Sequence, residues 1–154
     1  MIADCGRGGN VGGLLRYLYG PGETNEHTRP RLVASWLGDD PAVLARLEPE
    51  GQGVHGRDCA ELAAQLRFPV DTFGGPEQYV WHVPIAISAD EGELTDAQWA
   101  LAARRVLERT GVAPPGDPAA CRWVVVHHGR SAGGNDHVHL VATLVRLDGR
   151  TEKA

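Results

Sequence analysis

The densest runs of β-forming residues lie near the C-terminal end. Arg122–His128 (RWVVVHH) and Asp136–Arg146 (DHVHLVATLVR) are strand candidates, and the GRSAGGN between them is what a hairpin turn would use. Gln78–Ser88 (QYVWHVPIAIS) reads as a further strand, in which Pro84 predicts an edge position or a bulge. Met1–Cys5 is a short candidate first strand. Helical spacing appears in Val11–Tyr19, with Leu14, Leu15 and Leu18 on one side and Gly20-Pro21-Gly22 as a stop. Residues 41–50 and 57–67 predict two more helices, the second with Leu62, Ala63 and Leu66 in phase. Thr95 and Gln98 make a capping-box pair that opens a long helix to about Thr110, closed by Gly111. Strands and helices do not alternate as regular βαβ units. The expected fold is α+β, a central mainly antiparallel sheet with flanking helices, as one domain over residues 1–154.

Composition changes this picture little. No stretch nears the roughly 18–20 apolar residues that span a bilayer, so no membrane insertion is expected. The first residues, MIADCGRGG, lack the apolar core of a secretion signal. Cys5, Cys59 and Cys121 are too scattered for a disulfide framework or a CxxC zinc pattern, which makes a reducing, cytoplasmic setting the expectation. The net charge of −5 argues against a nucleic-acid partner, but its distribution softens that. Residues 1–38 carry four arginines against three acids, and residues 121–154 five basic groups against three acids. The acidic excess lies between them, away from the segments that hold the candidate chemistry.

That chemistry begins with histidine. His127, His128, His137 and His139 fall within thirteen residues. Successive side chains of a strand alternate faces, so His137 and His139 share one, and a hairpin partner ending in His127-His128 can deliver a third imidazole. Only one of that adjacent pair can share the face. Three neutral imidazoles on a rigid sheet suit a divalent ion, and ligand type alone leaves its identity open among Mg, Mn, Zn and others. His27, His55 and His82 read as singletons. Three tyrosines, Tyr17, Tyr19 and Tyr79, all precede the His-x-His strand.

The segments GRGGNVGGLLRYLYGPGETNEHT and WVVVHHGRSAGGNDHVHLVATLVRLDG resemble the first and third motifs of plasmid mobilization relaxases of the HUH endonuclease superfamily. The intervening VWHVPIAISADEGELTDAQWALAARRVLERTG is similar to the strand and helix that link them, in the family's order. The resemblance implies site- and strand-specific nicking of single-stranded DNA at a plasmid transfer origin, through a 5′-phosphotyrosyl intermediate. Accessory mobilization and coupling proteins are the further partners it implies. Tyr17 matches the nucleophile best, with Tyr19 the alternate. His137 and His139 match the metal pair, and His128 is chosen as third ligand over His127 because it directly precedes the glycine-rich turn. His127, Asp136 and Glu26 are candidates for supporting or alternate roles; Asp136 is expected to face away from His137, leaving Glu26 or the 90–93 loop to supply an acid. Arg7, Asn10, Arg16 and Asn25 are candidate DNA contacts.

Two features depart from the family. An acid two residues after the first histidine is missing, since Gly129 and Arg130 stand there. Family members also continue into basic helices, so a catalytic domain truncated at Ala154 is expected. Rival expectations are a degenerate domain that binds metal or DNA without nicking, and a metal-dependent phosphoesterase that uses water. GRGGNVGG resembles a phosphate-cradling loop without being a Walker sequence. Trp36, Trp81, Trp99 and Trp123 each lie in an apolar run and are expected in the core.

Overall fold

A computed structural model describes residues 2–3, 5–22, 30–52, 54–130 and 133–154. In chain order the elements are β1 (Ile2–Ala3), β2 (Gly6–Gly8), α1 (Val11–Leu18), β3 (Arg31–Ser35), α2 (Pro41–Leu47), β4 (Glu50–Gln52) and β5 (His55–Asp58). They continue with α3 (Ala60–Phe73), β6 (Val80–Ala86), α4 (Asp96–Thr110), β7 (Trp123–Arg130) and β8 (Asp136–Thr143). The α+β class and the antiparallel sheet expected from the sequence are present. β7 and β8 form the central hairpin; β3 pairs with β7 at one edge, β6 with β8 on the other side, and both β1 and β2 pair with β6. β4 and β5 make a separate two-stranded ribbon. Among the described residues, no helix is long and apolar enough to cross a membrane.

Both faces of the sheet are covered. Trp99, Ala100, Ala103 and Leu107, at helical spacing on α4, pack against Val83, Ile85, Val125, Val138, Leu140 and Ala142. On the opposite face, Val11, Leu15 and Leu18 of α1 and Leu62 and Leu66 of α3 meet Val80, Val124, Val126 and Val141. The sheet is thus the middle of three layers, and alternation along β7 and β8 divides their side chains between two cores. Trp81, Trp99 and Trp123 are buried and Trp36 packs partly buried against the core, as their apolar surroundings predict.

Helix α4 follows its capping signal closely. The Thr95 hydroxyl accepts from the Gln98 N–H at 3.2 Å and the Gln98 side chain accepts from the Thr95 N–H at 2.8 Å. Other boundaries shift. α2 ends at Leu47, three residues before the expected limit. The helix expected over 57–67 begins at Ala60, because residues 55–58 pair with β4 and Asp58 caps the Ala60 N–H; it then runs on to Phe73 through Pro69. Pro69 cannot donate to the carbonyl of Gln65, but the Arg122 guanidinium does so at 2.7 Å. Pro84 lies in an interior strand rather than at an edge. β2 covers Val80 to His82 and β1 covers Ile85 and Ala86, so the proline falls in the gap between them.

The glycine-rich segment departs from expectation in part. Gly6–Gly8 is strand β2 rather than a loop, whereas Gly12 and Gly13 lie inside α1, within the helix expected over Val11–Tyr19. A β-carbon on Gly9 would stand 2.9 Å from the Glu77 carbonyl oxygen, so the chain needs glycine there for close backbone approach.

Arg122 should therefore act as the missing partner of a proline-interrupted helix. Arg122→Met, which keeps the stem and removes the donors, should lower stability in chemical denaturation by about 1–3 kcal/mol. In a Pro69→Ala background the helix recovers its own N–H, and the same change should cost clearly less.

Candidate metal centre

His137 and His139 extend from β8 toward the α1/α3 face, where Val141 of the same strand is buried. His128, two residues beyond Val126 on β7, shares that face by alternation, and the ladder becomes irregular beside it. His127 pairs with Val138 and Gly129 with His137, so β7 carries one residue more than β8 at this point. This is a β-bulge, and it makes Gly129 rather than His128 the residue paired with His137. Gly129 has φ of 85°, in the left-handed region that favours glycine, which gives the residue after His128 a local reason. His128 is fully buried, while His137 and His139 are partly exposed. Ring centroids lie 4.4 Å apart for His128 and His139, 5.3 Å for His128 and His137, and 5.4 Å for His137 and His139.

One ring nitrogen from each of the three lies within 4.8 Å of the others. Three nitrogens bound at about 2.1 Å in a tetrahedral or facial set would lie roughly 3.0–3.4 Å apart, so the rings would draw together to close around an ion. The donor set fits a divalent ion of imidazole preference. Among the described residues it consists of histidines alone.

His127 and Asp136 take no part in that cluster. Both lie on the α4 face, where His127 Nε2 is 2.6 Å from Asp136 Oδ1 and the other carboxylate oxygen accepts from Trp99 Nε1 (3.1 Å) and the Leu94 N–H (3.0 Å). Burial alone would raise the Asp136 carboxyl, but the bonds from Leu94, His127 and Trp99 outweigh it and hold the carboxyl below the ordinary range. The two residues form a buried cross-link behind the sheet, and Asp136 faces away from His137 as expected. Two acids of the 90–93 loop are engaged away from the cluster. Glu91 accepts from the Ser88 N–H at 2.7 Å, and Glu93 pairs with Arg130. Glu26 and Asn25 lie outside the described residues.

The two candidate tyrosines are separated by environment. Tyr17 is 42% exposed on α1, whereas Tyr19 is 1% exposed and donates its hydroxyl proton to Glu48 at 2.5 Å. Burial first, and then the Glu48 carboxylate, push the Tyr19 phenol well above its ordinary value. Glu48 also accepts from the Leu32 N–H, which ties the end of α1 to edge strand β3. Leu32 pairs with Val126, and Val126 with His139, so that tie brings the Tyr17 end of the helix toward the histidine end of the sheet. Arg7 and Arg16 are exposed, and the Asn10 side chain caps α1 by accepting from the Gly13 N–H. That bond gives Asn10, read from the sequence as a candidate DNA contact, a structural role at the start of the helix.

Sequence reasoning missed His82. It lies on β6, and its Nε2 is 2.7 Å from His139 Nδ1, with the two rings stacked at 4.9 Å. Burial lowers its affinity for a proton. The signal was present, since Val80, His82 and Pro84 share a strand face, but no spacing in one chain reveals which strands become neighbours. Glu48, near the end of an expected helix, was missed for the same reason.

Comparison with family models, curated proteins and solved structures finds no match.

His127 and His128 should separate cleanly in mutants. His128→Ala should abolish high-affinity binding of a divalent ion in calorimetry. His127→Ala should leave that affinity nearly unchanged and lower thermal stability by about 3 kcal/mol, because the Asp136 carboxylate loses its buried partner. A second expectation concerns Glu48, whose carboxyl burial raises above its usual 4.5 despite the opposing bond from Tyr19. A raised folded value gives stability that is full below 4.5 and lost as pH rises through it. Glu48→Gln cannot ionise, so its melting temperature should gain on the wild type as pH rises from 4.5 through the raised folded value.

Proposed function

We propose that the chain is a metal-dependent relaxase domain of the HUH type, which nicks one DNA strand at a specific site. The observation that carries this reading is the open set of three imidazoles on a sheet face that is also crossed by a helix with an exposed tyrosine. The order along the chain supports it too, with the tyrosine before the His-x-His strand.

In this reading His128, His137 and His139 hold the ion. Bound to three neutral ligands it would keep its full charge, polarise the scissile phosphate and offset charge as the nucleophile arrives. Tyr17 supplies the attacking oxygen. Its Oη forms a bond to phosphorus as the bond from phosphorus to the 3′ oxygen breaks. The phenolic proton is released and the departing oxygen takes up a proton to leave as a 3′-hydroxyl, so the 5′ phosphate stays on Tyr17. An ordinary phenol has a pKa near 10, so deprotonation needs help at neutral pH, and a cationic centre nearby supplies it electrostatically. Arg16, beside Tyr17 in sequence, and Arg7 offer charge for the DNA backbone. Single-stranded DNA at a transfer origin is the substrate of this proposal, and accessory mobilization and coupling proteins are its further partners.

Tyr19 serves this mechanism as an anchor, since its hydroxyl is buried against Glu48. Tyr17→Phe should keep metal and DNA binding but form no covalent adduct with a suicide oligonucleotide on a denaturing gel. Tyr19→Phe should retain partial adduct formation. Nicking that persists in the double Phe variant would show that water attacks, and the relaxase reading would give way to a metal-dependent phosphoesterase.

A further inference from the structure

His82 lies outside the three ligands but directly against one of them. The separation of 2.7 Å between His82 Nε2 and His139 Nδ1 is that of a hydrogen bond between two imidazoles. Such a bond holds one proton, so one ring must donate and the other accept. Nδ1 of His139 is therefore committed, and Nε2 is the nitrogen left for an ion. A neutral histidine binds metal only through a nitrogen that bears no proton. If His82 accepts, His139 keeps its proton on Nδ1 and presents a bare Nε2. If His82 donates, the proton of His139 lies on Nε2 and blocks it.

The backbone makes His82 a rigid partner. β6 is paired on both sides at this residue, opposite Val141 of β8 and Gly6 of β2. Its ring lies 25° from the plane of His139 with centroids 4.9 Å apart, so contact as well as the hydrogen bond restricts how His139 can turn.

We infer that His82 is the positioning residue of the metal centre: it accepts from His139 Nδ1, and so fixes the tautomer and ring angle that present His139 Nε2 to a divalent ion. This rests on the metal-binding reading of the three-histidine cluster. The role is the one that outer partners of ligating histidines commonly fill, here taken by an imidazole instead of a carboxylate or a carbonyl.

Two measurements test it. In metal-free protein at neutral pH, long-range proton–nitrogen spectra should show His139 as the Nδ1–H tautomer; the Nε2–H form would overturn the inference. Calorimetry with Co²⁺ should show His82→Ala binding about 10–100-fold more weakly than wild type. His82→Gln should stay within about threefold of wild type, because its amide oxygen can accept where Nε2 did. Circular dichroism checks that both variants fold. Wild-type affinity in His82→Ala, or equal losses in the Ala and Gln variants, would overturn this role alone and leave the metal centre standing. Wild-type protein that binds no Co²⁺, or unchanged binding after His137→Ala and His139→Ala together, would overturn the centre and this role with it.

Discussion

Everything at the candidate site depends on one constraint: β8 is an interior strand with apolar layers on both sides. Its neighbours β6 and β7 occupy both hydrogen-bonding edges, and helices cover both faces. Each side chain must then enter one core or the other, and each polar group there needs a partner, because an unpaired one costs about 1–3 kcal/mol. Asp136 meets that demand behind the sheet with His127, Trp99 and the Leu94 amide. His139 meets it in front with His82. The carboxylate and the imidazole cluster are one residue apart in sequence and on opposite sides of the sheet.

This segregation shapes the chemistry open to the protein. A carboxylate among the three histidines would neutralise part of the charge of an ion held there, whereas an all-imidazole set leaves that charge to act on an anionic substrate. The nicking reaction proposed above makes use of that. His128 follows the same division, since two residues beyond Val126 it takes the face of His137 and His139, and the bulge lets Gly129 stand opposite His137.

A second device acts on α1. Tyr19 and Glu48 join the end of the helix to the Leu32 amide of β3. The bond takes one tyrosine out of solvent while its neighbour two residues earlier, about 200° around the helix axis, stays exposed. The difference in exposure between Tyr17 and Tyr19 follows from helical geometry, and the Glu48 bond decides which of them is buried.

Much of the architecture was legible in the sequence because it is encoded locally. The Thr95–Gln98 cap, the His-x-His alternation and the apolar stripe of α1 depend on neighbours within four residues, and the structure shows all three. The three clustered histidines could be named for the same reason, since two share a strand face and the third closes the same hairpin. Other features arise between segments distant in the chain. His82 stands 57 residues from His139, Arg122 likewise 57 from the Gln65 carbonyl, and Glu48 29 from Tyr19. Pro84 reads as an edge position or a bulge, and Pro69 lies beyond the helix expected over 57–67, yet the gap between β1 and β2 and the Arg122 guanidinium accommodate both inside regular elements. Local spacing along the chain settles which residues can share a face. Which faces meet is settled by packing, because strand order and register are set by the burial of whole faces, and no local spacing records them.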